Sequence, residues 1–205
     1  MGVTLSPHRA AVPFIFEAGQ LKSQPRTGWF VAGIERPESV ADHMSRTSII
    51  GLVLGGLFDG PIDVGRVVMM CSIHDLAETR IGDVPSVARP YLKKPNEARV
   101  IDDQIDGAPT AVEDLVRGLV QEYEERRTIE ALLARDADKL ECLAQAMQYS
   151  ANGNPNAMNW IRSNYEALST DVARTLADVM VSADPTDWWR DVVVNYWPAG
   201  PQLST

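Results

Sequence analysis

The sequence predicts an all-α protein, and three observations carry that expectation. Apolar residues recur three and four positions apart in one segment after another, which is the period of a helix face. No stretch shows the two-residue alternation of a half-buried strand, and there is neither an internal repeat nor a glycine-rich phosphate loop. Proline, glycine and short polar residues punctuate the chain where the periodic segments stop.

Taken in order, residues 1 to 8 read as a polar, flexible start. A helix is expected from about His8 or Pro13 to Lys22, carrying Phe14, Ile15, Ala18 and Leu21. Pro25 and Gly28 mark a turn that holds Arg26 and Trp29, whose ordinary roles would be a solvated cation and a ring covering a helix end. The next helix begins after Pro37, with Glu38 or Ser39 near its start, and runs to Gly55 and Gly56 or slightly beyond. Val40, His43, Met44, Thr47, Ile50 and Leu54 share its inner face. Asp59, Gly60 and Pro61 form a loop, and Asp63 is placed to cap a helix that ends near Gly82, before a turn through Asp83, Val84 and Pro85.

Pro90, Tyr91, Lys93, Lys94 and Pro95 make a cationic loop that reads as a lid or as a solvated connection. Helices are expected over 96–106 and 110–126, parted by Gly107, Ala108 and Pro109, with the acidic run 122–125 as a solvated face. Thr128 opens a long helix to about Ser150. After a turn over 152–156, a helical region carries Met158, Trp160, Ile161, Tyr165 and Leu168 toward Val181. A short helix follows Pro185, packing Trp188, Trp189, Val192, Val193 and Tyr196, and from Pro198 the chain reads as a loose tail.

Composition bounds the function. A chain of 205 residues, 45% hydrophobic and 23% charged, suits a single domain over 1–205, with a core over about 13–150, C-terminal helices over about 155–197 and a tail at 198–205. A net charge of -9 disfavours a nucleic acid polymer as partner, whereas a small anion needs only a local positive site. Two cysteines, Cys71 and Cys142, suit a reducing cytoplasm. No stretch approaches the roughly 20 apolar residues that cross a bilayer. Met1, Gly2 and Ser6 match an acylation pattern, but no polybasic patch accompanies it, so no membrane partner is expected.

The chemistry concentrates between Cys71 and Asp83. Val64, Val67, Val68, Cys71, His74, Asp75 and Glu78 recur at helical spacing, so one stripe starts apolar and ends ionisable. Burying those acids without a cation would be costly, and a divalent ion held by imidazole and carboxylate removes the cost. The chain has only three histidines, and a second, His43, lies on the inner face of another helix. A further acid comes from the run 135–141, where periodicity leaves two candidates. Asp136 goes with Leu133, Leu140, Leu143 and Met147, and Asp138 with Ala134, Cys142, Gln145 and Tyr149; residues two apart on a helix point about 200° apart, so one of the two faces the site.

The order of His43, then His74 with Asp75, then a distant acid resembles the HD phosphohydrolase superfamily. Gly19 to Lys22, Pro25 to Trp29, Arg36 to His43, His74 to Glu78 and Ile81 to Asp83 resemble its 5'-deoxynucleotidase branch, over roughly residues 13 to 150. The fold implied is an HD-domain helical bundle with a buried divalent-metal site. The resemblance assigns the metal to His43, His74, Asp75 and Asp138, the last because Ala137 to Leu140 match the family's final motif, and Asp136 then becomes a surface residue. It further implies that Arg26 orients the substrate phosphate and Trp29 abuts the deoxyribose. Glu78 would assist proton transfer, Asp83 would contact the 3'-hydroxyl or the nucleophilic water, and Val84, Pro85 and Ser86 would line the substrate. Glu78 and Asp83 could together hold a second cation.

The reaction implied is hydrolysis of (deoxy)nucleoside 5'-monophosphates by a cytoplasmic homodimer using Mn, Co, Fe or Mg. Two neutral imidazoles and two carboxylates give such an ion a neutral site. The rival activities are an HD-type nucleoside triphosphate hydrolase, a phosphatase for a specialised nucleotide and a non-catalytic nucleotide-binding module. A two-iron oxygenase would need more histidines than His8 can supply.

Overall fold

A computed structural model describes residues 6–93 and 95–196. The start at residues 1–5, Lys94 and the tail from Pro198 lie outside them. Every regular element among the described residues is a helix, joined by one isolated antiparallel bridge between Pro25 and Ser39.

Helix α1 (Pro7–Ala18) opens with Ser6 accepting the Arg9 N–H and Pro7 in the first turn, where its missing N–H costs nothing. It tightens into a 3₁₀ turn, Gly19–Ser23, ahead of the single-turn α2 (Gly28–Val31). Backbone bonds from Arg26 N to Glu38 O (3.0 Å) and from Val40 N to Gln24 O (2.8 Å) close this loop against the start of the next helix. That helix, α3 (Val40–Leu57), begins with a reciprocal cap in which Ser39 and Asp42 satisfy each other's backbone N–H groups. Gly55 does not end it but lies inside it. A Cβ at Gly55 would stand 2.9 Å from Val64 Cγ1, and one at Gly51 would stand 2.8 Å from Cys71 Sγ. These two glycines let α4 (Val64–Ile73) lie hard against α3, with the start of α3 beside the end of α4.

Asp63 caps α4 as expected, but the helix does not reach Gly82. It ends at Ile73, and the chain passes through His74–Ala77 on three-residue bonds, Leu76 N to Ile73 O and Glu78 N to Asp75 O (both 3.0 Å), before α5 (Glu78–Ile81). The reason is local. His74 Nδ1 donates to the Cys71 carbonyl at 2.9 Å, the acceptor that a continuing α-helix would have given to the N–H of Asp75. Residues three apart eclipse in such a tightened turn, so Asp75 and Glu78 still share a face. Gly82, at φ +71°, closes α5 in a conformation that side chains resist.

A 3₁₀ turn (Ser86–Tyr91) leads to α6 (Glu97–Ile105), α7 (Thr110–Glu125) and the 23-residue α8 (Ile129–Ala151), capped by Thr128. The helical region expected toward Val181 consists of two helices, α9 (Met158–Glu166) and α10 (Asp171–Ser182), followed by α11 (Asp187–Tyr196). Helix α8 is the central post, buried on opposite sides: Leu133, Ala134, Ala137, Leu140 and Leu143 are wholly covered by Leu54 of α3, Val67 and Met70 of α4, and their neighbours on α7 and α10. Its middle therefore meets the start of α3 and the end of α4.

Candidate metal centre

Three helices bring four donors to one point. His43 comes from the first turn of α3, His74 and Asp75 from the turn after α4, and Asp138 from the middle of α8. His43 Nε2 lies 3.3 Å from His74 Nε2 and 3.3 Å from Asp138 Oδ1. Asp75 Oδ2 stands 3.3 Å from His74 Nε2 and 3.7 Å from His43 Nε2, and Asp138 Oδ1 stands 4.0 Å from His74 Nε2. Donors around an ion at ligand distances of about 2.0–2.2 Å sit roughly 3 Å apart, so the spacing of His43, His74 and Asp75 suits one divalent cation, with Asp138 adjoining it through His43.

The far side of each ring fixes which nitrogen faces the centre. His74 Nδ1 gives its proton to the Cys71 carbonyl, and His43 Nδ1 meets the carboxylate of Glu141, both of them acceptors. With each Nδ1 committed to an acceptor, the two Nε2 atoms are the nitrogens that face each other across the centre, where an ion would take the place of the proton that His43 carries in the metal-free fold. This is the observation by which the residues fit a metal. Glu141 is itself wholly buried, and Arg46 Nε donates to its other oxygen at 2.9 Å.

The electrostatics agree. Burial and Arg26 push His43 toward the neutral form, but Glu141 and Asp138 outweigh them and hold it up at about 10. Burial would raise Asp75 and Asp138. Instead His74 and Arg26 pull Asp75 below the usual carboxylate range, and Lys139, His43 and His74 do the same for Asp138. Lys139 Nζ donates to Asp138 Oδ2 at 2.7 Å. A pocket that holds an extra proton on a buried imidazole will exchange it for a metal ion.

Beside the four donors, Arg26 Nη1 lies 3.2 Å from Asp75 Oδ2 and 3.7 Å from Asp83 Oδ1. Asp83 receives the Thr27 backbone N–H at 2.5 Å, so it ties the Arg26 loop to the exit of α5. Glu78 faces the same space. Its Oε2 is buried with no hydrogen-bond partner, and Arg80, the neighbour that could have paired with it, is spent on Glu17 at 2.6 and 2.8 Å. Burial first, then the charges of Asp75 and Asp83, raise Glu78 to about 9. Among the described residues, the groups of three or more donors close enough for one ion are His43, His74 and Asp75, and Glu38, His43 and Glu141; Asp138, Glu78 and Asp83 are in neither.

Two expectations change. Trp29 is 2% exposed, packed edge-on against Tyr149 at 5.1 Å, with its Nε1 donating to Glu38 at 2.9 Å. That burial leaves almost no ring surface for a sugar in this conformation, and makes Trp29 a support for Glu38. Asp136 is not a surface residue. It is 1% exposed and accepts four hydrogen bonds, from the backbone N–H groups of Ser169 (2.9 Å) and Thr170 (2.8 Å) and from both their hydroxyls. Val84 and Pro85 are half-buried after Asp83, and Ser86 is exposed at the start of the following turn.

Glu141 and Arg46 carry no role in the sequence reading. A signal for both was present: each lies three residues from a proposed donor, Asp138 and His43, on the same helical face.

Fold and centre together define an all-helical protein built around a buried cluster of imidazole and carboxylate donors suited to a divalent ion. The chain belongs to the HD domain family, whose pattern matches residues 18–180. It is similar to 5'-deoxynucleotidase hdd1 of Schizosaccharomyces pombe, at 35% identity over 70% of this chain and 74% of the relative. It is likewise similar to human 5'-deoxynucleotidase HDDC2, at 34% identity over 71% and 72% of the two chains. Among solved structures, a conserved hypothetical protein from Pyrococcus furiosus superposes with a TM-score of 0.72 at 34% identity, over 83% of this chain and 97% of that one. The PH0347 protein from Pyrococcus horikoshii OT3 superposes at 0.71, with 34% identity over 83% and 96%.

Proposed function

We propose that this protein is a metal-dependent phosphomonoesterase of the 5'-deoxynucleotidase type, releasing phosphate from deoxynucleoside 5'-monophosphates, with His43, His74, Asp75 and Asp138 as the metal ligands. The observation that carries the proposal is the convergence of two imidazole Nε2 atoms, 3.3 Å apart, with two carboxylates beside a half-buried arginine. The names of relatives at about a third identity support the substrate class.

A divalent ion held there supplies Lewis acidity toward water and toward a phosphoryl oxygen. The chain does the rest. Arg26, whose planar fork suits phosphate, is held at the edge of the centre by Asp75 and Asp83 and can turn its remaining N–H groups to the substrate. Glu78, whose carboxyl burial and the neighbouring acids hold in its protonated form in the metal-free fold, would give its proton to the 5'-oxygen as the P–O bond breaks. Water supplies the new P–O bond, and the proton it sheds restores Glu78. Asp83 keeps Thr27 and Arg26 in register and stands where it can meet the 3'-hydroxyl, with Val84, Pro85 and Ser86 forming the adjoining wall. A second cation held by Glu78 and Asp83 remains the alternative use of the two acids, and metal stoichiometry would decide between them.

The deciding assay is phosphate release from dAMP, AMP and dATP with Mn, Co, Fe and Mg in turn. Preference for dAMP is expected, and faster turnover of the triphosphate would defeat the reading. The exposed apolar residues Ile49, Leu52, Val53 and Leu57 of α3 support a homodimer, which light scattering would test. The free thiols of Cys71 and Cys142 support a cytoplasmic location. Among the described residues no helix is long and apolar enough to cross a membrane.

A further inference from the structure

On the Nδ1 side of His43, opposite the Nε2 that faces the centre, lies a polar chain that the proposed reaction does not use. His43 Nδ1 meets Glu141 Oε2, and Arg46 Nε donates to Glu141 Oε1 at 2.9 Å. Arg46 Nη1 donates to Gln148 Oε1 at 2.6 Å, and Nη2 reaches Gln145 Oε1 at 2.5 Å. Glu141, Gln145 and Gln148 lie four and three residues apart, so they form one row on α8, and Arg46, one turn after His43 on α3, spans that row. Glu141 and His43 are both wholly buried, whereas Arg46 keeps 30% of its side chain exposed.

We propose that Glu141 and Arg46 are a positioning pair that sets the tautomer and direction of the His43 ring, and thereby the affinity of the centre for its ion. The reading rests on the proposed metal site. A carboxylate can only accept, so Glu141 keeps a proton on Nδ1 and leaves Nε2 as the nitrogen that takes the ion. Arg46 in turn offers only donors, so it fixes an acceptor at Oε1 and leaves Oε2 for the ring. Polarity thus runs one way along the chain, from a guanidinium that cannot accept to a nitrogen that must not donate into the centre.

This order makes an unusual demand on the isosteric substitution Glu141→Gln. Arg46, being charged, claims the single amide oxygen, because hydrogen bonds with an ionised partner are the stronger ones. The amide NH₂ then faces His43 Nδ1 and can only donate. The ring must carry its proton on Nε2, pointing into the metal position. A near-neutral swap by shape should therefore weaken metal binding about 10- to 100-fold, the usual effect of losing such a partner. Removing Arg46 as well, in Glu141→Gln with Arg46→Met, frees the amide to turn its oxygen to Nδ1 and should recover part of the loss. A role in folding alone predicts the opposite, since two lesions would be worse than one.

The experiment is Co²⁺ binding to the full chain, measured by competition with a chelator and by the visible absorption of the bound ion, with helicity followed by circular dichroism. Wild type, His74→Ala, Glu141→Gln, Arg46→Met and the double variant are compared. Expected are loss in His74→Ala, weakening in Glu141→Gln, and tighter binding in the double variant than in Glu141→Gln. If Glu141→Gln binds Co²⁺ within twofold of wild type, or the double variant binds no better than Glu141→Gln, the positioning proposal is overturned. If His74→Ala binds as wild type does, the metal site itself is misassigned, which is a separate failure.

Discussion

Asp136 accepts the backbone N–H of Thr170 at 2.8 Å and its hydroxyl at 2.6 Å, and this contact lies two residues along α8 from the carboxylate that faces His43. The roughly 200° between the two side chains sends Asp136 to the gap between α9 and α10 and Asp138 to the centre. Both acids are buried, so an activity assay alone cannot separate them. Asp136→Ala leaves four donors without an acceptor, which should cost about 1 to 3 kcal/mol. At this chain length that is a fall in Tm of roughly 2 to 12 °C. Metal binding should persist at temperatures where the variant is folded. Asp138→Ala should bind little metal, with a smaller change in the metal-free Tm. Calorimetry of both variants with and without Mn²⁺ checks the assignment, and metal loss confined to Asp136→Ala would reverse it.

The same pair shows what the sequence made legible. Most of the helices, the caps at Ser39, Asp63 and Thr128 and the inward placement of His43 follow from spacing and punctuation, because a helix face repeats at a fixed period whatever it packs against, whereas the choice of Asp138 over Asp136 comes from the family resemblance. The break after Ile73 does not follow from spacing, since it depends on His74 taking a carbonyl from its own helix. Nor does the division of α9 from α10, which requires an acid from α8 to satisfy Ser169 and Thr170. Helix α8 is buried on opposite faces, so the rule that one of two acids must look outward has no purchase there. Glu141 was visible as a residue but not as a partner, because its meaning lies in a histidine nearly a hundred positions away.

Metal affinity should rise with pH. In the metal-free fold His43 keeps its proton up to about 10, against an ordinary 6.5. That proton therefore adds stability in full below about 6.5, and the contribution is lost as pH rises through about 10. The ion must displace it, so between pH 7 and 9 binding should strengthen by up to about tenfold per pH unit. Titration calorimetry in buffers of different ionisation enthalpy would read close to one proton released per ion. A pH-independent affinity with no proton release would show that His43 is already neutral.

Arg26 should act on substrate more than on metal. Arg26→Lys keeps the charge near Asp75 and Asp83 but loses the fork. The expected result is a fall of roughly 10- to 100-fold in kcat/KM with Mn²⁺ affinity nearly unchanged, as suits the loss of one or two charge-assisted hydrogen bonds. Asp83→Asn should give a milder version by loosening the Thr27 N–H bond. Unchanged kinetics in Arg26→Lys would mean that the arginine serves only to neutralise Asp75.

Glu78 poses the sharpest test, because its buried oxygen has no partner and its proton is held by burial and by the acids around it. Its ordinary value is 4.5, and in the metal-free fold it rises to about 9, so the neutral form is the one the fold favours. Stability from that form is complete below about 4.5 and drains away as pH climbs toward 9. Glu78→Gln, which cannot ionise, should abolish that loss and make the protein more resistant to alkaline unfolding. The same substitution removes the proton meant for the 5'-oxygen, so turnover should drop by about 10² to 10⁴ while metal and substrate still bind. A cation at the centre favours the carboxylate, which moves the alkaline limb of the kcat profile to about 9 or below. That limb should vanish in Glu78→Gln. Gain of stability with loss of turnover identifies a group kept protonated for chemistry. Near-wild-type turnover in Glu78→Gln would remove Glu78 from the reaction, and loss of metal as complete as in His74→Ala would make it a ligand instead.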